Sequence, residues 1–373
     1  MRILHLHADF AADGFGRTPR AARLINAFGR AAAHAIVPAR PDAPGAAAAI
    51  DPHITVASQR DFPELSGRPL PGRLQRLAAA MKGFDLVLTY NRGAMDAVMA
   101  HTLFRDFHGL PPLVHHEDSC NEGRRRSRDW YRRIALGRTS ALVVPSRRLE
   151  AIALTEWFQP RERVVRIADG IDTAACARKA RPDMLPRVIK RPGELWLGTI
   201  ADLQAGGNLP RLVRAFAGLP APWQLVILGE GPERDAVRAE ALRCGAAHRV
   251  HLPGFVAEPV RAIGLFDLFA LAPDGGQFPP PVAEAMAAGL AVAAPDSGDI
   301  AAMLAEENRP YAVPPGDEGA LASALASLAG DEALRRGIGE ANRRVARAEY
   351  DEKTMIAAYR AVYAKALRRP RFP

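Results

Sequence analysis

The sequence predicts an α/β protein made of two doubly wound parallel-sheet domains. Three observations carry that expectation. The chain has 373 residues, 48% of them apolar, which is enough for two domains of ordinary size, each with its own core. Short apolar runs alternate with turns and helix-period segments, the pattern of strand–turn–helix units around a parallel sheet. That pattern is clearest between Trp223 and Gly289. Leu225–Leu228 suits a strand buried on both faces, and Gly229-Glu230-Gly231-Pro232-Glu233 turns the chain sharply. Pro232 fits a first helical position, and Glu233 and Asp235 place negative charge at a helix start. A short strand, a helix and a strand follow. A glycine–proline loop then leads to a small-residue helix opened by Glu284 and ended by Gly289. Such units put loops and helix N-termini along one sheet edge, where doubly wound folds bind nucleotides.

From the N-terminus, Ile3–His7 is expected as the first strand, then a loop with Gly14, Gly16 and Arg17. A helix from Thr18 to about Arg30 carries Arg20 and starts with a hydroxyl cap and a proline just inside. His34–Val37, His53–Ala57 and Phe84–Thr89 are expected as strands, and Arg68–Lys82 and Ala94–Phe107 as helices. Leu113–His116 is a strand running straight into Glu117-Asp118, so that His115, His116, Glu117 and Asp118 gather at a strand's carboxyl end. Glu122–Arg138 reads as a basic helix with Trp130, Tyr131, Ile134 and Leu136. Ala141–Pro145 is a strand, and Ser146 caps a helix over Arg147–Trp157. Val164–Ile167 leads into Asp169-Gly170-Ile171-Asp172, closing a first domain of residues 1–173.

Residues 174–193 lack clear periodicity and read as a linker. The second domain, residues 194–350, opens with a strand over Glu194–Ile200 and a helix over Leu209–Ala217. Ala291–Ala294 and Tyr311–Val313 are further strands, with Ser297 or Asp299 as the cap of a short helix between them. Asp317–Ala329, Glu332–Ala348 and Glu352–Leu367 are helices, the last forming a C-terminal segment of residues 351–373.

Fifty Lys and Arg against 41 Asp and Glu leave a net charge of +9, which favours anionic partners such as nucleotide phosphates or an anionic membrane face. No nucleic-acid motif accompanies that charge, so nucleic acid is not an expected partner. Cys120, Cys176 and Cys244 lie far apart without metal spacing and read as unpaired thiols in a reducing cytoplasm. The opening MRILHLHADF is too short and polar for a signal peptide, and no apolar run approaches the ~20 residues that span a bilayer. The expectation is a cytoplasmic protein, with membrane contact peripheral at most.

GEGPE at 229–233, the PGF turn at Pro253–Phe255, EAMAAG at 284–289 and the DGID turn at 169–172 resemble the retaining GT-B glycosyltransferases of the large family four. The resemblance extends over nearly the whole chain. It implies two Rossmann-like domains facing across a cleft, with the final helix crossing back onto the first. It also implies transfer of a sugar, with retention, from a nucleotide-sugar donor to a glycan or lipid-linked acceptor, without metal or cofactor. A subgroup has a TYNRGA-like turn and an HHED-like run, which implies that His116, Glu117 and Asp118 face the reacting sugar. His116 or Asp118 would orient hydroxyls or take the acceptor's proton. Gly229, Glu230 and Gly231 would line the cleft wall, Gly254, Phe255 and Val256 would lie beside the base, and Glu284 would hold the ribose. The loop with Gly16 and Arg17 would sit at the cleft mouth, and helix 122–138 would suit an anionic leaflet.

The sequence departs from that family where the donor's diphosphate is held. Family members place an Arg and a Lys after the first strand of the second domain, whereas Asp202 and Gly207 stand here. The first of two family glutamates falls on Gly276, with Gln277 beside it. Pro279, Pro280 and Pro281 have no N–H for a phosphate at the helix start. Each missing charge-assisted hydrogen bond is worth about 1.5–3 kcal/mol. Three explanations stand: cations from elsewhere, Arg17 or Arg20; a different donor, such as a lipid-phosphate sugar; or a degenerate chain acting as a glycan- or nucleotide-binding or partner subunit.

Overall fold

The computed structural model describes residues 1–7, 18–38, 49–58, 61–118, 126–181, 183–275 and 279–372. The site candidates Gly16, Arg17, Gly276 and Gln277 lie outside the described residues. The chain forms two compact units. One takes residues up to Ala168 together with Met355 onward, and the other takes Asp169–Thr354.

The first unit is built on seven strands: β1 (Arg2–His7), β2 (Ala33–Pro38), β3 (Val56–Ser58), β4 (Leu86–Tyr90), β5 (Leu113–His116), β6 (Ala141–Val144) and β7 (Val164–Arg166). Their order is β3-β2-β1-β4-β5-β6-β7, and every neighbouring pair is parallel. The order reverses between β1 and β4, the switch point at which doubly wound sheets place ligands. β4, β5 and β6 are buried along their whole length, because helices cover both faces. One face is packed by α1 (Arg20–Phe28) and the C-terminal helix (Glu352–Ala366), with Leu24, Ile25, Phe28, Tyr359 and Tyr363 against Ile3, Leu86 and Leu88. The other face is covered by α2 (Pro71–Ala80), α3 (Met95–His108), α4 (Arg126–Ala135) and α5 (Arg147–Thr155). Ser146 caps α5 as expected, its hydroxyl accepting from the Leu149 amide at 3.0 Å. α1 begins two residues after Thr18, with Pro19 at its cap position and no side-chain cap.

The second unit has β8 (Leu195–Ile200), β9 (Trp223–Leu228), β10 (Val250–Gly254), β11 (Leu268–Ala270), β12 (Val292–Pro295) and β13 (Ala312–Val313), in the all-parallel order β10-β9-β8-β11-β12-β13. Its helices are α6 (Thr173–Cys176), α7 (Leu209–Ala217), α8 (Arg234–Arg243), α9 (Pro280–Ala288), α10 (Ile300–Met303), α11 (Glu318–Gly330) and α12 (Glu332–Glu349). Segment 174–193 groups with this unit and starts inside α6, which Asp172 caps through the Ala175 amide at 2.8 Å. The DGID turn is pinned by the Ile171 amide to Tyr350 O at 2.8 Å and by the Glu352 amide to Ile171 O at 3.0 Å.

Four local expectations change. Pro232 lies outside α8, which starts at Arg234. Two 3-10 turns, Pro259–Arg261 and Ile263–Leu265, replace the helix between β10 and β11. α10 is held by Asp296, which accepts from the Ala301 amide at 3.2 Å, rather than by Ser297 or Asp299. α9 begins at Pro280, a turn before Glu284, since proline is compatible with the first turn of a helix.

Candidate functional site

In the first unit the site forms where β4 and β5 end side by side. Tyr90 and His116 are register partners, and their rings stack with centroids 4.6 Å apart. The Asn91 amide donates to His116 O at 2.7 Å, and the Glu117 amide to Val143 O at 3.0 Å, so the ladder runs on past the strand ends. Asn91 then clamps Asp118. Its side-chain oxygen accepts from the Asp118 amide at 2.8 Å, and its side-chain nitrogen donates to Asp118 Oδ2 at 3.3 Å. Asn91 does this with φ 56° and ψ −179°, a sparsely populated backbone conformation outside the left-handed helical well. Arg20 pairs with Asp118 Oδ1; the arginine side chain is 9% exposed and the carboxylate 35%.

The pleat sorts the HHED run onto two sides. His115 and Glu117 fall together on one. His115 Nδ1 lies 2.8 Å from Thr89 Oγ1, and His115 Nε2 is 3.8 Å from Glu117 Oε2. Glu117 is fully buried and accepts from Arg132 at 3.2 Å, with the Arg132 guanidinium 4.9 Å over the Trp157 ring. Glu117, expected to face the reacting sugar, is turned by the alternation into the body of the unit.

His116 is also fully buried, and both its ring nitrogens are engaged. Nδ1 lies 3.0 Å from Thr89 O and Nε2 lies 2.9 Å from the Tyr363 hydroxyl. A carbonyl accepts only, so Nδ1 carries the proton and Nε2 accepts from Tyr363. The contacts continue beyond it: the Tyr90 hydroxyl lies 3.1 Å from His5 Nδ1, and His5 Nε2 lies 3.0 Å from His34 Nδ1. His34 Nε2 is a buried atom without a hydrogen-bond partner among the described residues. Burial pushes His5 and His116 well below the usual histidine value, helped by His34 at His5 and by Arg20 at His116, and burial takes His34 down to about 4. A neutral His116 with both nitrogens occupied orients its neighbours. Of the three residues expected to face the sugar, Asp118 is the one that meets solvent.

In the second unit a pocket at the carboxyl ends of β8 and β9 is lined by Ile200, Asp202, Gly229, Glu230, Phe255 and Val256, among others. It brings together five of the residues expected at the donor site. Its shape depends on glycine. A Cβ on Gly229, at φ +141°, would stand 2.1 Å from Ala201 O, and one on Gly231, at φ +154°, 2.4 Å from Leu203 O. The turn lies directly on the backbone after β8, bonded through the Leu203 amide to Glu230 O at 3.0 Å and the Glu233 amide to Leu203 O at 2.8 Å. Gly254 makes room for Glu230, whose Oε1 would be 2.8 Å from any Cβ there. Phe255 is 52% exposed.

Gly207 ends a 3-10 turn in the loop between β8 and α7. Glu284 sits in α9 and is 2% exposed. The start of α9 is closed as an anion site. Pro279, Pro280 and Pro281 supply no amide, and the first amide after them, at Val282, donates to Pro279 O at 3.0 Å. A cation overlooked in the sequence stands nearby. Arg211, in the first turn of α7, pairs with Asp274 at 2.5 Å and also donates to Ala272 O, just beyond β11. Asn208 holds the other Asp274 oxygen at 2.7 Å. The Arg211 hydrogen bond lowers the Asp274 pKa. The signal lay one helical turn beyond the expected positions 202 and 207.

The family model described as glycosyl transferases group 1 matches residues 186–345. Phosphatidyl-myo-inositol mannosyltransferase of Mycolicibacterium smegmatis is 31% identical over 208 residues, which cover 53% of this chain and 51% of that protein. The chain thus spans about half the length of that relative. The Anabaena protein HepE, solved in complex with UDP, is similar with a TM-score of 0.80 at 18% identity, over 98% of this chain and 100% of that one. Sucrose-phosphate synthase from Thermosynechococcus elongatus has a TM-score of 0.71 at 18% identity, over 98% and 99%. Two parallel sheets of Rossmann order, together with the structural likeness, make the chain a protein of GT-B fold, and residues 186–345 of its second unit are similar to the group 1 glycosyl transferases.

Proposed function

We propose that the protein is a glycosyltransferase that moves a sugar from a nucleotide-sugar donor to a glycan or lipid-linked acceptor, with retention and with neither metal nor cofactor. The observation that carries this reading is the pocket of the second unit. Ile200, Phe255 and Val256 offer apolar walls, and Asp202 and Glu230 offer carboxylates. Such a lining suits a nucleobase and its ribose, with ring against ring and N–H or hydroxyl donors toward carboxylates. The UDP complex of HepE and the mannosyltransferase relative support a nucleoside-diphosphate donor and sugar transfer. Arg211 is the cation we assign to the donor's phosphates, reached by exchange from Asp274. In the first unit Asp118, oriented by Arg20 and Asn91, accepts a hydrogen bond or proton from the acceptor hydroxyl.

The closed start of α9 favours a second reading, in which the chain binds a nucleotide or glycan without turnover. Calorimetric titration of UDP-glucose, GDP-mannose and ADP-glucose, followed by assay of the released nucleoside diphosphate, separates the two. Binding with release supports transfer. Binding without release supports the second reading, and silence across the panel removes both.

A peripheral membrane contact through 122–138 belongs to the same reading. Trp130, Ile134 and Phe158 are exposed together, and the Arg133 guanidinium lies 5.3 Å over Trp130 and 4.3 Å over Phe158. Rings beside cations suit an anionic interface. No helix among the described residues is long and apolar enough to cross a membrane. Salt-sensitive sedimentation with phosphatidylglycerol vesicles, lost in Trp130→Glu, is the expected result; no sedimentation at low salt would remove the contact.

A further inference from the structure

A concentration of positive charge among the described residues of the first unit lies away from Asp118, at the opposite edge of the sheet. A groove beside the start of β6 is lined by Arg105, Arg138, Arg163, Lys365 and Arg368, with Glu162 as its one carboxylate. It is open to solvent and has a volume of about 280 Å³. Because β6 begins at Ala141 and the strands run parallel, this is the amino edge of the sheet, while His116 and Asp118 stand at the carboxyl edge.

The fold places three of these cations. Arg105 donates to Arg138 O at 3.2 Å, and Arg163 donates to Gly137 O. Arg138 holds Asp106 through both terminal nitrogens, at 2.6 and 3.1 Å. A guanidinium has more donors than these bonds use, and the remainder can meet a ligand. Lys365 and Arg368 come from the end of the C-terminal helix, where cations suit the helix dipole. Arg105 stands likewise in the last turn of α3, but no α-helix dipole accounts for Arg138 and Arg163, which come from the turns before β6 and β7. Like charges gathered in a concavity focus a positive potential and repel one another. Phosphate oxygens relieve that repulsion and match the planar guanidinium forks.

We propose that this groove binds a small soluble anion carrying at least two phosphate groups, at a place separate from the Asp118 site. The test is calorimetric titration of inorganic pyrophosphate into the full chain at low and at physiological salt. It is repeated with the Lys365→Glu/Arg368→Glu double variant and with Arg336→Glu/Arg347→Glu, an equal change of charge on exposed positions of α12. All four positions are exposed, so both variants should melt as the parent does. The expected result is pyrophosphate binding that the groove variant weakens at least tenfold and the α12 variant less than twofold. Equal weakening in both variants, an unchanged groove variant, or no binding to the parent would each overturn the proposal. So would phosphatidic acid vesicles binding through the groove while pyrophosphate does not, since the phosphate would then belong to a lipid.

Discussion

The two sheets share a strand order and differ at their carboxyl edges. At the ends of β4 and β5 the first unit packs histidine, tyrosine, arginine and aspartate into hydrogen-bonded and stacked contacts. At the ends of β8 and β9 the second unit presents a hollow whose outline depends on backbone lying against backbone at Gly229 and Gly231. One edge is specified by hydrogen-bond direction and the other by the absence of side chains. A group that must meet a hydroxyl needs orientation, and a flat ligand needs room. On this account chemistry belongs to the first edge and donor recognition to the second.

The largest expected effect tests the second edge. Gly229→Ala drives a methyl group into Ala201 O and forces a left-handed backbone on alanine, so we expect a loss of more than about 3 kcal/mol in denaturant unfolding. Gly206→Ala, with nothing within 4 Å, should stay within about 1 kcal/mol. Equal stability of the two variants would break the claim that close backbone approach shapes the pocket.

Acid separates the units next. In the first unit burial lowers His34 and His101 to about 4 and His5 and His116 well below their usual value. A histidine lowered on folding contributes fully above its unfolded pKa, near 6.5, and loses that contribution as pH falls toward its folded value. For His34 and His101 the window is 6.5 down to about 4, with up to about 2 kcal/mol lost per histidine by pH 5. His251 shifts in the same sense in the second unit. Hydrogen exchange at pH 7 and pH 5 should show protection falling mainly in β1, β2, β4 and β5. An equal fall in both sheets would contradict the assignment of neutral buried histidines to the first.

A smaller effect tests the direction of the hydrogen bonds at His116. Tyr363→Phe removes the donor to His116 Nε2 and leaves a buried acceptor unpaired, at a cost of about 1–2 kcal/mol. The 15N resonances of His116 should still report a proton on Nδ1, because Thr89 O still holds it. A proton found on Nε2 would mean that the order of donors is reversed.

Much of this was legible in the sequence, for identifiable reasons. Strands buried on both faces appear as unbroken apolar runs, and the Gly-x-Gly turn marks a backbone that comes too close for a side chain. The HHED run announced a polar strand end. Its sorting did not show, because the pleat alone sends Glu117 to Arg132 and leaves Asp118 outside. Arg20 meets Asp118 across 98 positions, and Tyr363 meets His116 across 247, pairings that no local pattern encodes. Arg211 was missed because the family's cations are expected before α7, whereas this one stands inside it.

The division of labour is tested most directly by measuring kcat and donor Kd together for Asp118→Asn and Phe255→Ala, with the nucleotide sugar that the parent protein binds. The account predicts that Asp118→Asn lowers kcat by about 100-fold or more and leaves Kd within about twofold, since it removes a group that acts on the acceptor. Phe255→Ala should raise Kd about five- to tenfold, roughly 1–1.4 kcal/mol of lost ring contact, and leave kcat nearly unchanged. The reverse pattern, with Asp118→Asn weakening donor binding and Phe255→Ala slowing turnover at saturating donor, would contradict it.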